Sequence, residues 1–234
     1  PYFEKYGLRA VSIGHPAVNG RAARADPTQL KSTLDIRGDE TTLGLYLGSR
    51  MGVVERHGPV FIQAVNILAQ THSKLRVLIP TFPETADRVR GMCRDLGVRY
   101  HVITDPVMKP MALRACDVAL AVSGTIGLEL AIADVPHVVG YRMSRLTAFM
   151  VKRLVRPGQF AHLANILLER AVVPECIQDS CTPEILAGHV ATLLDHPDSA
   201  HAQRDAFAVV RHAIGEGADV TPAAKAAGFV LGMV

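Results

Sequence analysis

A doubly wound α/β domain with a parallel sheet, helices on both faces and a helical C-terminal tail is the fold this sequence predicts. Apolar runs carrying β-branched residues alternate with segments of helical periodicity from residue 9 to about residue 155. Two of these runs, Leu75 to Ile79 and Val118 to Val122, have the near-continuous apolar character of strands buried on both sides. Helices between successive strands supply the crossovers that parallel pairing demands.

The first run is Arg9 to Ile13, closed by Gly14-His15-Pro16. A short helix is expected near Pro27 to Leu34, because proline suits a first helical turn. Thr42 to Leu47 reads as the second strand, stopped by Gly48-Ser49-Arg50. A long helix follows from about Val54 to Thr71, with Phe61, Val65, Leu68 and Ala69 at helical spacing. Strand Leu75 to Ile79 is closed by Pro80, and a helix from about Glu84 to Leu96 leads to strand Arg99 to Ile103. A short helix around Pro110 to Ala115 precedes strand Asp117 to Val122; after Ser123-Gly124-Thr125 a helix carries Ile126 to Ala133. Pro136 to Tyr141 reads as the last strand, with a helix from Ser144 to Val155 behind it. From about Pro183 the chain looks helical, with Ile185, Leu186, Val190, Leu193 and Leu194 as one apolar face. The expected organisation is a ligand-binding domain over residues 1–182 and a helical segment over residues 183–234, packed on it or exchanged with a partner.

Composition removes several function classes. Apolar residues make up 49% of the 234, ample for a core. The net charge is +3, from 25 basic and 22 acidic side chains, so no concentrated basic stripe is available to grip a nucleic-acid backbone. With no Trp and 5% aromatic residues, base-stacking platforms are not expected either. Cys93, Cys116, Cys176 and Cys181 form no C-x-x-C pair and read as free thiols in a reducing compartment. The ten histidines are scattered, so no metal cluster is expected, and no cofactor is called for. The longest apolar stretch, Val118 to Gly140, is broken by Glu129, Asp134 and Pro136, which argues for a soluble or peripheral cytoplasmic protein. The first residue is Pro1 rather than Met, and the chain enters almost directly into a strand, so an upstream part is expected to be missing.

In an open parallel sheet, ligands bind beyond the carboxyl ends of the strands, where the next helices begin. The stronger candidate is Ser123-Gly124-Thr125 with Glu129. Gly124 allows close backbone approach, the first amides of the helix point outward with its dipole, and Ser123 and Thr125 add hydroxyls, a set suited to phosphate oxygens. Glu129 lies one turn deeper on roughly the same face. A carboxylate repels phosphate, so its useful partner is a neutral diol such as ribose. The same residues also fit a Ser123 helix cap with a solvated first-turn acid. The second candidate is Arg50 after Gly48, a bidentate cation able to meet a diphosphate on which charge builds as a glycosyl group departs. An ordinary surface arginine remains the alternative there. No Asp-x-Asp, no G-x-x-x-x-G-K-[ST] and no G-x-G-x-x-G occurs, which disfavours P-loop and dinucleotide-binding enzymes.

Several segments, taken together and in order, resemble lipid-A-disaccharide synthase. They are Pro1-Tyr2-Phe3-Glu4, Ile13-Gly14-His15-Pro16, Gly48-Ser49-Arg50, Ser123-Gly124-Thr125 with Glu129, Val138 to Met143, Ala164-Asn165-Ile166-Leu167 and Val172-Val173-Pro174-Glu175. The chain departs from the family at Leu47, where proline is usual before Gly-Ser-Arg, at Val53, where an acid is common, and at Ala164, where proline usually precedes Asn165. The resemblance implies a Rossmann-like domain that is the donor-binding half of a GT-B fold, covering the C-terminal part of the family only. It implies transfer of 2,3-diacylglucosamine from UDP to 2,3-diacylglucosamine 1-phosphate, giving lipid A disaccharide 1-phosphate and UDP. By it Arg50 is the candidate catalytic group, while Ser123, Gly124, Thr125, Glu129 and Asn165, the last in the loop that follows the last strand, with Tyr141 and Arg142 beside them, face the UDP-sugar. It further implies an N-terminal acceptor half that is missing here, a homodimer as a candidate assembly, and action at the inner-membrane surface. The basic amphipathic stretch Arg142 to Arg156 suits that surface, and equally suits a helix packed on the sheet. The alternatives are another UDP-GlcNAc-type GT-B transferase or epimerase, and a non-catalytic nucleotide-binding fragment.

Overall fold

A computed structural model describes residues 3, 6–8, 10–143 and 160–232. Six strands form one parallel sheet: β1 (Thr41–Tyr46), β2 (Leu75–Pro80), β3 (Arg99–Ile103), β4 (Val118–Val122), β5 (His137–Tyr141) and β6 (Glu175–Ile177). Their spatial order is β3-β2-β1-β4-β5-β6. The chain winds outward in one direction from β1 to β3, returns to the centre, and winds the other way from β4. The doubly wound sheet predicted from sequence is therefore present, and its order reverses between β1 and β4.

The helices are α1 (Arg21–Arg24), α2 (Thr28–Thr33), α3 (Met51–Ala69), α4 (Pro83–Met92), α5 (Met108–Arg114), α6 (Thr125–Ile132), α7 (Leu163–Leu168), α8 (Pro183–Asp195), α9 (Pro197–Ala213) and α10 (Pro222–Val230). Strand side chains alternate between two helical layers, as the pleat requires. Leu43, Leu45, Val77, Ile79, Leu120 and Val138 pack with Phe61 and Val65 of α3 and with Leu186 and Val190 of α8. Tyr46, Leu78, Ala119 and Ala121 face the other way, onto Leu30 of α2, Leu113 of α5 and Leu130 of α6. Val139 joins Leu128, Ala164, Phe207 and Val210 in a third cluster between α6, α7 and α9. Both faces of the sheet are covered, which is why its central strands read as continuous apolar runs. Residues from 183 onward share this core through α8. Leu186, Val190 and Leu193 of the expected apolar face are buried and Leu194 packs against the core, whereas Ile185 is 41% exposed.

Three expectations need correction. Of the run Arg9 to Ile13, Arg9 lies outside the described residues and Ala10 to Ile13 form no strand. Val11 stays 47% exposed, Gly14 turns the chain at φ 83°, and the His15 amide donates to Ile214 O at the end of α9. β-Branched residues favour a strand, but no sheet edge lies there to pair with them. Tyr141 does not end the sheet, since β6 adds three residues beyond it, too few for a periodicity to show. Asn165 sits on helix α7 rather than in a loop. The helix expected from Ser144 to Val155, and most of its basic stretch, fall outside the described residues.

Candidate functional site

The carboxyl ends of β1 and β4 lie side by side where the strand order reverses, and each feeds a helix. After β1, Gly48 adopts φ 102°, and an added Cβ would come within 2.5 Å of Val53 Cγ1, so this turn needs glycine on both counts. It delivers Arg50 as the N-cap of α3, with no side-chain capping bond. The amides of Val53 and Val54 both donate to Arg50 O, at 2.9 and 3.0 Å, while those of Met51 and Gly52 have no protein partner among the described residues.

After β4, the Ser123 amide donates to Gly140 O at 3.3 Å, and Gly124 follows with φ 158° and ψ −160°. That backbone region is essentially restricted to glycine. Gly124 has nothing within 4 Å of where a Cβ would stand, so its outer side is open. It is also the N-cap of α6, again without a side-chain capping bond, so Ser123 is not spent as a helix cap. The amides of Thr125 and Ile126 have no acceptor among the described residues. The N-terminal ends of both helices thus border one cavity of about 480 Å³, α6 through Thr125 and Ile126 with their free amides and α3 through Arg50 and Val53. Fractional positive charge and unpaired N–H groups at both ends make the cavity attractive to an anion with several oxygens.

Arg50, Ser123, Gly124, Thr125, Glu129 and Tyr141 all line this cavity. Arg50 is exposed at its mouth. Glu129 is half-buried, its carboxylate has no ion-pair or hydrogen-bond partner among the described residues, and burial raises its pKa above the ordinary carboxylate value. On its other side lies a second cavity of about 460 Å³, which shares Tyr46, Pro80, Phe82, Ile126 and Glu129 with the first. Lys109 lies 4.0 Å above the Phe82 ring in its wall. The carboxylate therefore stands between a donor-rich chamber and a largely apolar one.

Two expected site residues are placed elsewhere. Arg142 is not among the residues that line the cavity, and its amide donates to His57 Nε2 at 2.9 Å. Asn165 is fully buried behind α6. Its Oδ1 accepts from the amides of Val172 and Val173 at 2.8 and 2.9 Å, and its Nδ2 donates to Val173 O at 2.8 Å and Glu175 Oε1 at 2.7 Å. Every polar valence is used internally, leaving none for a ligand. Asn165→Ala should lower stability by about 2–4 kcal/mol, since it strands several buried donors and an acid. Urea denaturation checks this, and the nucleotide affinity of the folded fraction should stay unchanged.

Sequence reasoning did not single out the groups that hold α6 from behind. An added Cβ on Gly127 would meet His162 Nε2 at 2.4 Å, so glycine lets that ring pass beneath the first turn. His162 Nδ1 accepts from Ala164 N at 3.2 Å, and His137 Nδ1 lies 2.8 Å from Val135 O. The proton between their Nε2 atoms, 2.9 Å apart, then belongs to His162, and both rings are neutral. Burial and the neighbouring His162 push His137 down to about 3. His57, fully buried on α3 beside Tyr141, was missed as well. Its signal was a histidine on the apolar stripe of a helix, at helical spacing from Phe61 and Val65. Among the described residues no group of His, Cys, Asp or Glu could hold a metal ion, and no helix is long and apolar enough to cross a membrane.

A family model described as Lipid-A-disaccharide synthetase matches residues 1–226. The chain belongs to this family. A lipid-A-disaccharide synthase of Rhodospirillum centenum is 36% identical over 234 residues, covering 100% of this chain and 58% of its own length. Because the family match runs through residues 1–226, the expectation that the chain carries only the family's C-terminal part, with an N-terminal half missing, is corrected. The chain spans between 50% and 60% of the length of the first curated relatives it matches. Among solved structures, S. aureus MnaA in a UDP co-structure aligns with TM-score 0.61 and 15% identity, over 87% of this chain and 50% of that one. A UDP-GlcNAc 2-epimerase of Neisseria meningitidis bound to UDP-GlcNAc aligns with TM-score 0.55 and 13% identity, over 90% and 57%. At such identities the likeness establishes the fold alone, a Rossmann-like sheet of the GT-B type with C-terminal helices.

Proposed function

We propose that the protein is a glycosyltransferase that moves 2,3-diacylglucosamine from UDP to 2,3-diacylglucosamine 1-phosphate, releasing UDP and lipid A disaccharide 1-phosphate. The observation that carries it is the convergence of two uncapped helix N-termini on one cavity, with an unpaired carboxylate at its inner wall. The diphosphate fits the amides of Thr125 and Ile126, with the Ser123 and Thr125 hydroxyls and Arg50 at the start of α3 beside them. Glu129 accepts from the ribose hydroxyls, a neutral partner for a partly desolvated acid. The apolar chamber past Glu129, with the Phe82 ring in its wall, suits the base. The sugar then points toward Tyr141 and the open side of Gly124.

In the transfer, the bond from sugar C1 to the diphosphate oxygen breaks as the acceptor hydroxyl oxygen bonds to C1. The electron pair stays on UDP, and the hydroxyl proton passes to a base outside the groups named here. The helix amides and Arg50 face the place where that negative charge grows, so their contribution is larger in the transition state than in the bound donor. The UDP and UDP-GlcNAc held by neighbours of the same fold belong to the ligand class proposed. Acylated substrates would bring the protein to the cytoplasmic face of the inner membrane.

Titration calorimetry with UDP tests the reading. A dissociation constant between about 1 μM and 1 mM is expected, within the affinity range of ordinary nucleotide-sugar substrates, and UMP should bind more weakly for want of the second phosphate. A folded sample that gives no heat with millimolar UDP would overturn the assignment.

A further inference from the structure

His57 lies two turns inside α3 and touches the first turn of that helix and the turn after β5, both beside the cavity. Its Nδ1 is 2.7 Å from Val53 O, and its Nε2 is 2.9 Å from the Arg142 amide. An amide can only donate and a carbonyl can only accept, so Nδ1 carries the proton and Nε2 is an acceptor. The ring stacks on Tyr141, with centroids 5.2 Å apart and planes at 29°, and meets the Phe61 ring edge-on at 5.9 Å. Gly140 makes room for this stack, since a Cβ there would lie 2.9 Å from Phe61 Cε1. On the other side, Val53 is the residue whose methyl fills the space above Gly48. A single imidazole thus links the first turn of α3, whose Val53 packs on Gly48, to the Tyr141-Arg142 turn after β5. The amide of Met143 also donates to Gln178 Oε1, so the backbone is fixed on both sides of Arg142.

We propose that His57 is a positioning residue, which holds Tyr141 in the cavity wall by accepting the Arg142 amide and so sets the width of the cleft between Tyr141 and Arg50. The inference deepens the nucleotide-sugar reading and rests on it for its functional consequence. Tyr141 leaves β5 at the sheet's end, and without an acceptor the Arg142 N–H would be half-buried and unpaired. The turn would then rotate to find water and carry the tyrosine ring out of the wall. The Nδ1 bond to the helix's own carbonyl fixes the ring's tautomer and orientation, as an orienting partner does for a functional histidine.

Two substitutions separate the two bonds. His57→Asn can place its amide nitrogen near the Nδ1 position and keep the bond to Val53 O, but offers nothing within reach of Arg142 N. His57→Gln extends its carbonyl oxygen to the region of Nε2 and restores that acceptor. Amide hydrogen exchange at Arg142 and calorimetric UDP titration are measured on both variants and the wild type. In His57→Asn, exchange at Arg142 should quicken and UDP affinity should fall, each on the order of tenfold for one lost hydrogen bond. His57→Gln should return both toward the wild-type values. Equal UDP affinities in the two variants, or Arg142 exchange in His57→Asn as slow as in the wild type, would overturn the role given to His57. The exchange arm needs no nucleotide, so a wild-type protein that fails to bind UDP would refute the nucleotide reading while exchange still decides whether the tether exists.

Discussion

Arg50→Ala is expected to weaken UDP binding by about 10- to 100-fold, the value of losing one charge-assisted bond to phosphate. Binding should not vanish, because the donors of α6 belong to the main chain and remain in place. The loss should shrink as salt rises, since Arg50 is exposed and its attraction to the diphosphate is screened. The amides, half enclosed by the cavity, are screened less. Arg50→Lys should recover part of the affinity, because an ammonium restores the charge but not the two-pronged geometry. The rate of sugar transfer should fall further than the affinity, by about 10²- to 10³-fold, as for removal of a donor that meets charge developing in the transition state. Calorimetry at two ionic strengths and a radiolabelled transfer assay read these effects. A variant as tight and as fast as the wild type would show that Arg50 is an ordinary surface cation.

Glu129→Ala is expected to reduce UDP affinity by roughly 10-fold or more, two hydrogen bonds to a carboxylate being at stake. Inorganic pyrophosphate should bind at least as well as before, because the substitution removes a negative charge beside the cradle. That opposite response is the signature of an acid that reads the ribose. The same residue predicts a pH-dependent stability. Burial raises the folded-state pKa of Glu129 above its unfolded value. The folded state therefore holds a proton that the unfolded state has released between those two values, and stability falls as pH rises through that window. Glu129→Gln should then be more stable than the wild type above the folded-state pKa and equal to it below the unfolded value of about 4.5. Thermal unfolding across that pH range checks the sign. A Gln variant that loses stability at neutral pH would mean the carboxylate has a partner that favours its charge.

Most of the architecture was legible because buried parallel strands leave a one-dimensional trace. Leu43 and Leu45 face one helical layer and Tyr46 the other, so both faces demand apolar residues and the run is unbroken. The segment from Ala10 to Ile13 has the same trace without the cause, for its position against the end of α9 is a tertiary fact. The two glycine turns were legible for a related reason, since Gly48 and Gly124 each follow a strand and precede a helix, where backbone conformation limits the residue. Asn165 and Arg142 were legible as polar residues but not as structural ones. The partners that occupy Asn165 are seven to ten residues downstream, and the Arg142 amide meets an acceptor 85 positions upstream. Nor does periodicity distinguish a histidine that fills a core from one that spans two turns. His57 satisfies both descriptions.

The free donors at the starts of α3 and α6, of which those of Thr125 and Ile126 border the cavity, are peptide nitrogens, present whatever side chain each codon specifies. Missense changes along these two helix starts would vary the walls of the chamber while leaving its hydrogen-bonding pattern in register. Proline is the exception, since it is accepted in a first helical turn yet carries no N–H. A compound that drew its affinity from these main-chain groups would therefore face few single-codon routes to resistance. One that relied on Arg50 would face many.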